Sequence, residues 1–158
     1  MKIEIPVHLR WSDMDAYGHV NNVDMLRLLE IARIEAFWVS DQSKHHTGIL
    51  DASPGSATAT FVARQEIEYV APLSYRQEPV TVELWIGHVG GASIDVSYRI
   101  RDAVSPGEHA PEPVVYAIAS TTLVMVDTAS NRPRRLTPRE REVWADFVYP
   151  PVDFKHRR

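Results

Sequence analysis

The chain has 158 residues, is 44% hydrophobic and carries a formal net charge of −4, which allows one domain with a substantial core and argues against a nucleic-acid surface despite the short basic run 155–158. It contains no cysteine, so disulfides, thiolate nucleophiles and cysteine-type zinc sites are excluded and a reducing compartment fits. No charged-then-apolar leader and no apolar run of bilayer length occurs, so a cytoplasmic protein without membrane contact is expected.

In chain order, Ile3, Ile5, Val7 and Leu9 alternate with Lys2, Glu4 and His8, the two-residue period of a half-buried strand. Residues 10–22 follow as a loop carrying Asp13, Asp15 and His19. From Val23 to Val39 the chain is dense in Leu, Ile, Ala and aromatic residues without Gly or Pro, which predicts a helix of several turns with Asn21 or Asn22 as its N-cap. Glu30 and Arg33 stand three apart on it and can pair. Residues 40–60 are long for a loop and are expected to hold function or a short helix around Ile49 and Leu50. The adjacent His45 and His46 read as loop residues before they read as metal ligands.

Val80, Val82, Leu84 and Ile86, and then Ile94, Val96, Tyr98 and Ile100, give two clean strands. Gly90-Gly91 between them predicts a hairpin, with glycine supplying positive φ. Val114 to Val126 is a long β-branched strand after a loop containing Pro106, Gly107, Pro111 and Pro113. Arg132, Arg134 and Arg135 form a solvated turn or, alternatively, a phosphate contact. Thr137-Pro138-Arg139-Glu140 has capping-box spacing and predicts a short helix, about 138–148, stopped by Pro150 and Pro151. The pattern is α+β, an antiparallel sheet wrapped around one long, nearly all-apolar helix, in a single domain spanning 1–158.

Chemistry concentrates just ahead of the long helix. Unpaired amides and the positive dipole end of its first turn favour negative charge, whether on a carboxylate or on an oxygen developing at a bound carbonyl. Asp15 suits acyl transfer there, and it equally suits a turn or cap. Asp13, Asp15 and His19 as metal ligands would need further carboxylates that are not evident. His19 reads as a base or as a loop residue bonded to the backbone.

The run Asp15-Ala16-Tyr17-Gly18-His19-Val20-Asn21-Asn22 resembles the signature of the 4-hydroxybenzoyl-CoA thioesterase-like family of hotdog-fold acyl-CoA thioesterases. Glu30-Ile31-Ala32-Arg33 looks like the family's helix segment and Glu66-Ile67-Glu68-Tyr69-Val70-Ala71-Pro72-Leu73 like the strand that follows, so the likeness spans about 2–128. It implies hydrolysis of a fatty or aromatic acyl-CoA. Asp15 would be the carboxylate that attacks the thioester or activates water, and a backbone amide near Asn22 would bind the carbonyl oxygen; Asp13 then does structural work. Tyr17, Gly18 and His19 are implied as substrate contacts.

Where some family members carry a basic run for the CoA phosphates, this chain has His88-Val89-Gly90-Gly91-Ala92-Ser93. Phosphate binding is therefore expected from the backbone at Gly90 and Gly91 with Ser93, from the turn at Arg132, Arg134 and Arg135, or from the basic tail. No cofactor or metal is expected. A homodimer or homotetramer is, because family sites lie at dimer interfaces and open strand edges need cover. The alternatives are a hotdog hydratase or dehydratase and a non-catalytic acyl-binding protein.

Overall fold

A computed structural model describes residues 1–38, 51–103, 107 and 110–155. Its strands are β1 (Ile3–Val7), β2 (Thr58–Tyr69), β3 (Val80–Val89), β4 (Ser93–Arg101), β5 (Val115–Asp127) and β6 (Arg132–Pro133); its helices are α1 (Asn22–Phe37) and α2 (Pro138–Ala145). All strands join one antiparallel sheet in the order β1-β3-β4-β5-β2, with β6 on β5. The architecture is α+β, and no described helix is long and apolar enough to cross a membrane.

Capping residues set both helix starts. Asn21 caps α1, its side chain accepting from Val23 N–H at 2.9 Å. Thr137 and Glu140 form the reciprocal box on α2, with Pro138 at the first position where its missing N–H costs nothing. Leu28, Leu29, Ala32 and Ala36 of α1 are fully buried, and α1 packs against β1 and β3. Four residues apart, Ala32 and Ala36 lie on one face, where small side chains let the backbone approach the sheet. Pro6 is tolerated in β1 because that strand is an edge of the sheet.

Several expectations are corrected. β2 begins at Thr58, inside the segment expected to be loop; residues 61–65 are exposed without alternation, so pairing with β5 extends the strand rather than a buried face of its own. α2 ends at Ala145, short of 148; Phe147 lies in a turn and Val148 forms a parallel bridge with Ile86 of β3. Thr81 and Glu83 of β3 are buried as well as the apolar set, because Glu83 bonds Lys2 at 2.7 Å and Arg101 at 3.1 Å. The Gly90-Gly91 hairpin forms, but the described glycines with positive φ are Gly18, Gly55 and Gly107. Gly90 is needed for room: a Cβ there would lie 2.9 Å from Ser93 Oγ. The expected helix near Ile49 and Leu50, the pair His45 and His46, Val39, Pro106 and residues 156–158 lie outside the described residues.

Candidate active site

The loop between β1 and α1 folds back on itself in steps that sequence neighbours dictate. Met14 and Val20 form an antiparallel bridge, Asp15 N–H donates to His19 O at 2.7 Å, and Gly18 N–H donates to Asp15 O at 3.2 Å. Gly18 makes the reversal at φ 77°, a region a Cβ disfavours. Val20 N–H then donates to Leu73 O at 2.7 Å, fastening the loop to the chain that leaves β2.

Asp15 lies inside this reversal. Its Oδ1 accepts from Tyr17 N–H at 2.8 Å and His19 N–H at 3.2 Å. Among the described residues nothing bonds Oδ2. One oxygen is thus anchored by the backbone and the other is left for a ligand. Asp15 and Asn22 line one cleft of about 370 Å³ with Val20, Met25 and the segment from Tyr69 to Leu73. Asn22 is the first residue of α1, and among the described residues no group accepts from its amide. The cleft therefore combines an uncommitted carboxylate oxygen with an uncommitted helix N–H, a pairing suited to acyl chemistry.

Asp13, two residues away, has a different environment. Its carboxylate is fully buried and accepts from Arg10 N–H at 2.8 Å and Arg10 Nε at 3.0 Å. Arg27 of α1 stands 2.7 Å from its Oδ2, close enough for a charge contact though its N–H is not aligned on that oxygen. Burial pushes the Asp13 carboxyl up, but the Arg10 bonds and the Arg27 charge outweigh it and hold the group below the usual range. The Asp13 carboxylate is thus engaged by Arg10 and Arg27, and no trio of His, Cys, Asp or Glu converges among the described residues.

The other expected contacts separate. Tyr17 and Gly18 are exposed on the loop and His19 is half-buried, its N–H spent on Asp15. Gly90, Gly91 and Ser93 occupy the far end of the sheet: Val7 pairs with Val80 at the start of β3, and the length of β3 puts the hairpin about 30 Å along it. Gly90 N–H is used on Ser93 O at 2.8 Å, and Gly91 O accepts from Leu136 N–H at 2.9 Å. Within one chain these residues do not meet Asp15.

Arg134 is held by Glu140 at 2.6 and 3.0 Å, whereas Arg132 and Arg135 are exposed. Arg33 is buried, 3.4 Å from Tyr98 Oη and 3.9 Å from Glu30. A second cleft, about 250 Å³, lies beside the ion pair of Arg76 and Asp102, in which Asp102 accepts from Arg76 at 2.5 Å and from Tyr116 at 2.8 Å.

Sequence reasoning missed Tyr69, Val70 and Ala71 as cleft residues; the strand expected over Glu66–Leu73 ends at Tyr69, and residues 70–73 leave the sheet to wall the cleft. The break at Ala71-Pro72, which turns the chain out of β2, was the available signal.

A family model for the thioesterase-like superfamily matches residues 9–147. No functionally curated protein matches the chain. Among solved structures, YbaW of Escherichia coli, provisionally assigned as a thioesterase, is 26% identical with a TM-score of 0.66, over 94% of this chain and 99% of that one. An acyl-CoA thioesterase candidate from Xanthomonas campestris is 29% identical with a TM-score of 0.60, over 79% and 92%. A Bacillus stearothermophilus structure, 23% identical, shares the fold with a TM-score of 0.72 over 96% and 100%.

Proposed function

The chain belongs to the thioesterase-like superfamily; it is an acyl-CoA thioester hydrolase, and we propose that Asp15 and the main-chain amide of Asn22 carry its reaction on a fatty or aromatic acyl-CoA. One observation carries this reading. Asp15 has one oxygen tied to two backbone amides and the other uncommitted, in the cleft it shares with the start of α1.

In this mechanism the thioester carbonyl lies over the first turn of α1, its oxygen accepting from Asn22 N–H. Asp15 Oδ2 then adds to the carbonyl carbon to give an acyl-enzyme anhydride, or takes a proton from a water that adds. An aimed oxyanion donor contributes about 2.7–4 kcal/mol in the transition state. The general field of a helix end contributes only about 0.3–1 kcal/mol, so the aimed amide dominates. CoA thiolate is a good leaving group, and the mechanism requires no strong acid at sulfur. Tyr17, Gly18 and His19, on the loop that carries Asp15 though outside the cleft lining, are the substrate contacts in this reading.

The finer architecture belongs to the same proposal. We read residues 1–158 as one hotdog domain with its sheet wrapped around α1, supported by the full burial of Leu28, Leu29, Ala32 and Ala36. We place the protein in the cytoplasm, where acyl-CoA esters, too polar to cross a bilayer, are met. A second copy of the chain covers β2, which ends the sheet order and exposes Phe61 and Val62 at 54% and 46%; a long open strand edge is a template for pairing. Such pairing is also what can bring Gly90, Gly91 and Ser93 of a second copy toward Asp15.

Thiol release from a panel of aliphatic and aromatic acyl-CoA esters tests the activity. Turnover on at least one ester, lost in Asp15→Asn, is expected. No release from any ester, with acyl-CoA bound and intact, would leave the acyl-binding alternative. Hydration of an enoyl-CoA without thiol release would leave the hydratase. Sedimentation that finds a stable, active monomer at micromolar concentration would remove the second copy.

A further inference from the structure

Asp13 makes contact on both sides of the Asp15 loop. Upstream it holds Arg10 through the backbone N–H at 2.8 Å and Nε at 3.0 Å. Downstream its main-chain carbonyl accepts from the N-cap Asn21 N–H at 2.8 Å, and its carboxylate meets Arg27, inside α1, at 2.7 Å. Arg27 in turn bonds Asp24 at 3.1 Å, in the first turn of the same helix. Asp13 is fully buried, so water does not replace any of these partners.

Residues 14–20 therefore rise from a closed base, and His19 and Val20 are fastened on their far side to Ser74 and Leu73. The Met14–Val20 bridge is the first rung above it, and Asp15 bonds His19 immediately beyond. The two groups assigned to the chemistry leave that base in opposite directions: Asp15 on the outgoing strand of the loop, and the Asn22 amide one residue after the N-cap. A thioester can be attacked only if the carboxylate reaches the carbonyl carbon while the amide reaches the carbonyl oxygen. Both distances depend on how the loop base sits on α1.

We propose that Asp13 and Arg27 are positioning residues, an ion-pair clamp that sets Asp15 in register with the first free amide of α1. The proposal rests on the reading of Asp15 and Asn22 given above. It goes beyond that reading by giving a role in turnover to two residues outside the lining of the cleft. Neither side chain lines the Asp15 cleft. Arg27 reaches partly to solvent, so it can be replaced with less risk to folding than Asp13.

The experiment compares Arg27→Met, Arg27→Lys and Asp15→Asn, alone and combined, with folding checked by circular dichroism and kinetics measured well below Tm. A side chain that only stabilises the fold lowers Tm and leaves kcat of the folded protein unchanged. The clamp predicts that Arg27→Met lowers kcat by about 10–100-fold, the cost of misplacing reacting groups by an ångström or less, while KM changes by less than about threefold. Arg27→Lys, which restores the charge, should recover most of the lost kcat. In an Asp15→Asn background, Arg27→Met should cost no more than about twofold further, because the group it positions is gone. Normal kcat in folded Arg27→Met, with Asp15→Asn inactive, overturns the clamp alone. An Asp15→Asn enzyme that still turns over removes the functional reading and the clamp together.

Discussion

The hydroxyl of Tyr69 donates to the main-chain carbonyl of Asn22 at 3.0 Å, tying the last residue of β2 to the first residue of α1 along the cleft that holds Asp15. Burial pushes the Tyr69 phenol above its ordinary value, so it stays a neutral donor through the working range. Tyr69→Phe should cost about 0.5–1.5 kcal/mol of stability, the net worth of one hydrogen bond. Its pH–rate profile should keep the wild-type shape below about pH 10. A profile that loses a limb would show that Tyr69 itself transfers a proton.

Asp15 and Asp13 should fail in different ways. Asp15→Asn keeps size and the two backbone bonds but removes the carboxylate, and kcat should fall by about 10² or more. Asp13→Asn removes a buried charge between two arginines and should first appear as lost stability. The expected cost is about 1–3 kcal/mol, less than for a fully enclosed pair because both arginines reach solvent. Urea titrations and single-turnover rates on the two variants check this. Near-normal turnover in folded Asp15→Asn would reassign the catalytic group.

Carrier binding is best probed away from Arg134, which is occupied by Glu140 and supports the cap of α2. Arg132→Gln with Arg135→Gln, both exposed, should raise KM for acyl-CoA by several-fold with little change in kcat, since a phosphate contact is equal in ground and transition states. An unchanged KM would direct attention to the hairpin at Gly90, Gly91 and Ser93.

Acid should destabilise the protein in one direction only. Asp13, Glu83, Asp102 and Glu140 are each pushed up by burial and held below the usual carboxylate range by bonds and charges of arginine, lysine, tyrosine or backbone donors that together outweigh it. The unfolded chain therefore takes up protons first as pH falls. The stability these groups contribute is complete above their unfolded values, about pH 4, and is lost as pH drops through the folded ones. Their contribution leaves urea midpoints unchanged between about pH 7 and 5.5 and lowers them below about pH 4. Midpoints that hold steady to pH 3 would contradict the assignment of these ion pairs.

The alternation that defines β3 and β4, the Asn21 cap of α1 and the Thr137–Glu140 box were all legible in the sequence, because each depends on residues within one or two turns of one another. The turn that holds Asp15 was legible for the same reason: the bonds Asp15–His19, Gly18–Asp15 and Asn21–Asp13 all lie within residues 13–21. What the sequence could not decide were encounters between distant segments. Tyr69 and Leu73 reach Asp15 only because β2 ends beside the start of α1, and β2 itself extends to Thr58 because β5 lies alongside to pair with it. Glu83 is buried because Lys2 and Arg101 arrive from other strands to neutralise it. The hairpin at Gly90 stands away from Asp15 because an extended strand of fixed rise separates them. Local propensity and capping act through a few bonds along the chain, whereas burial and charge pairing are decided by which strands become neighbours, and that is a property of the sheet order alone.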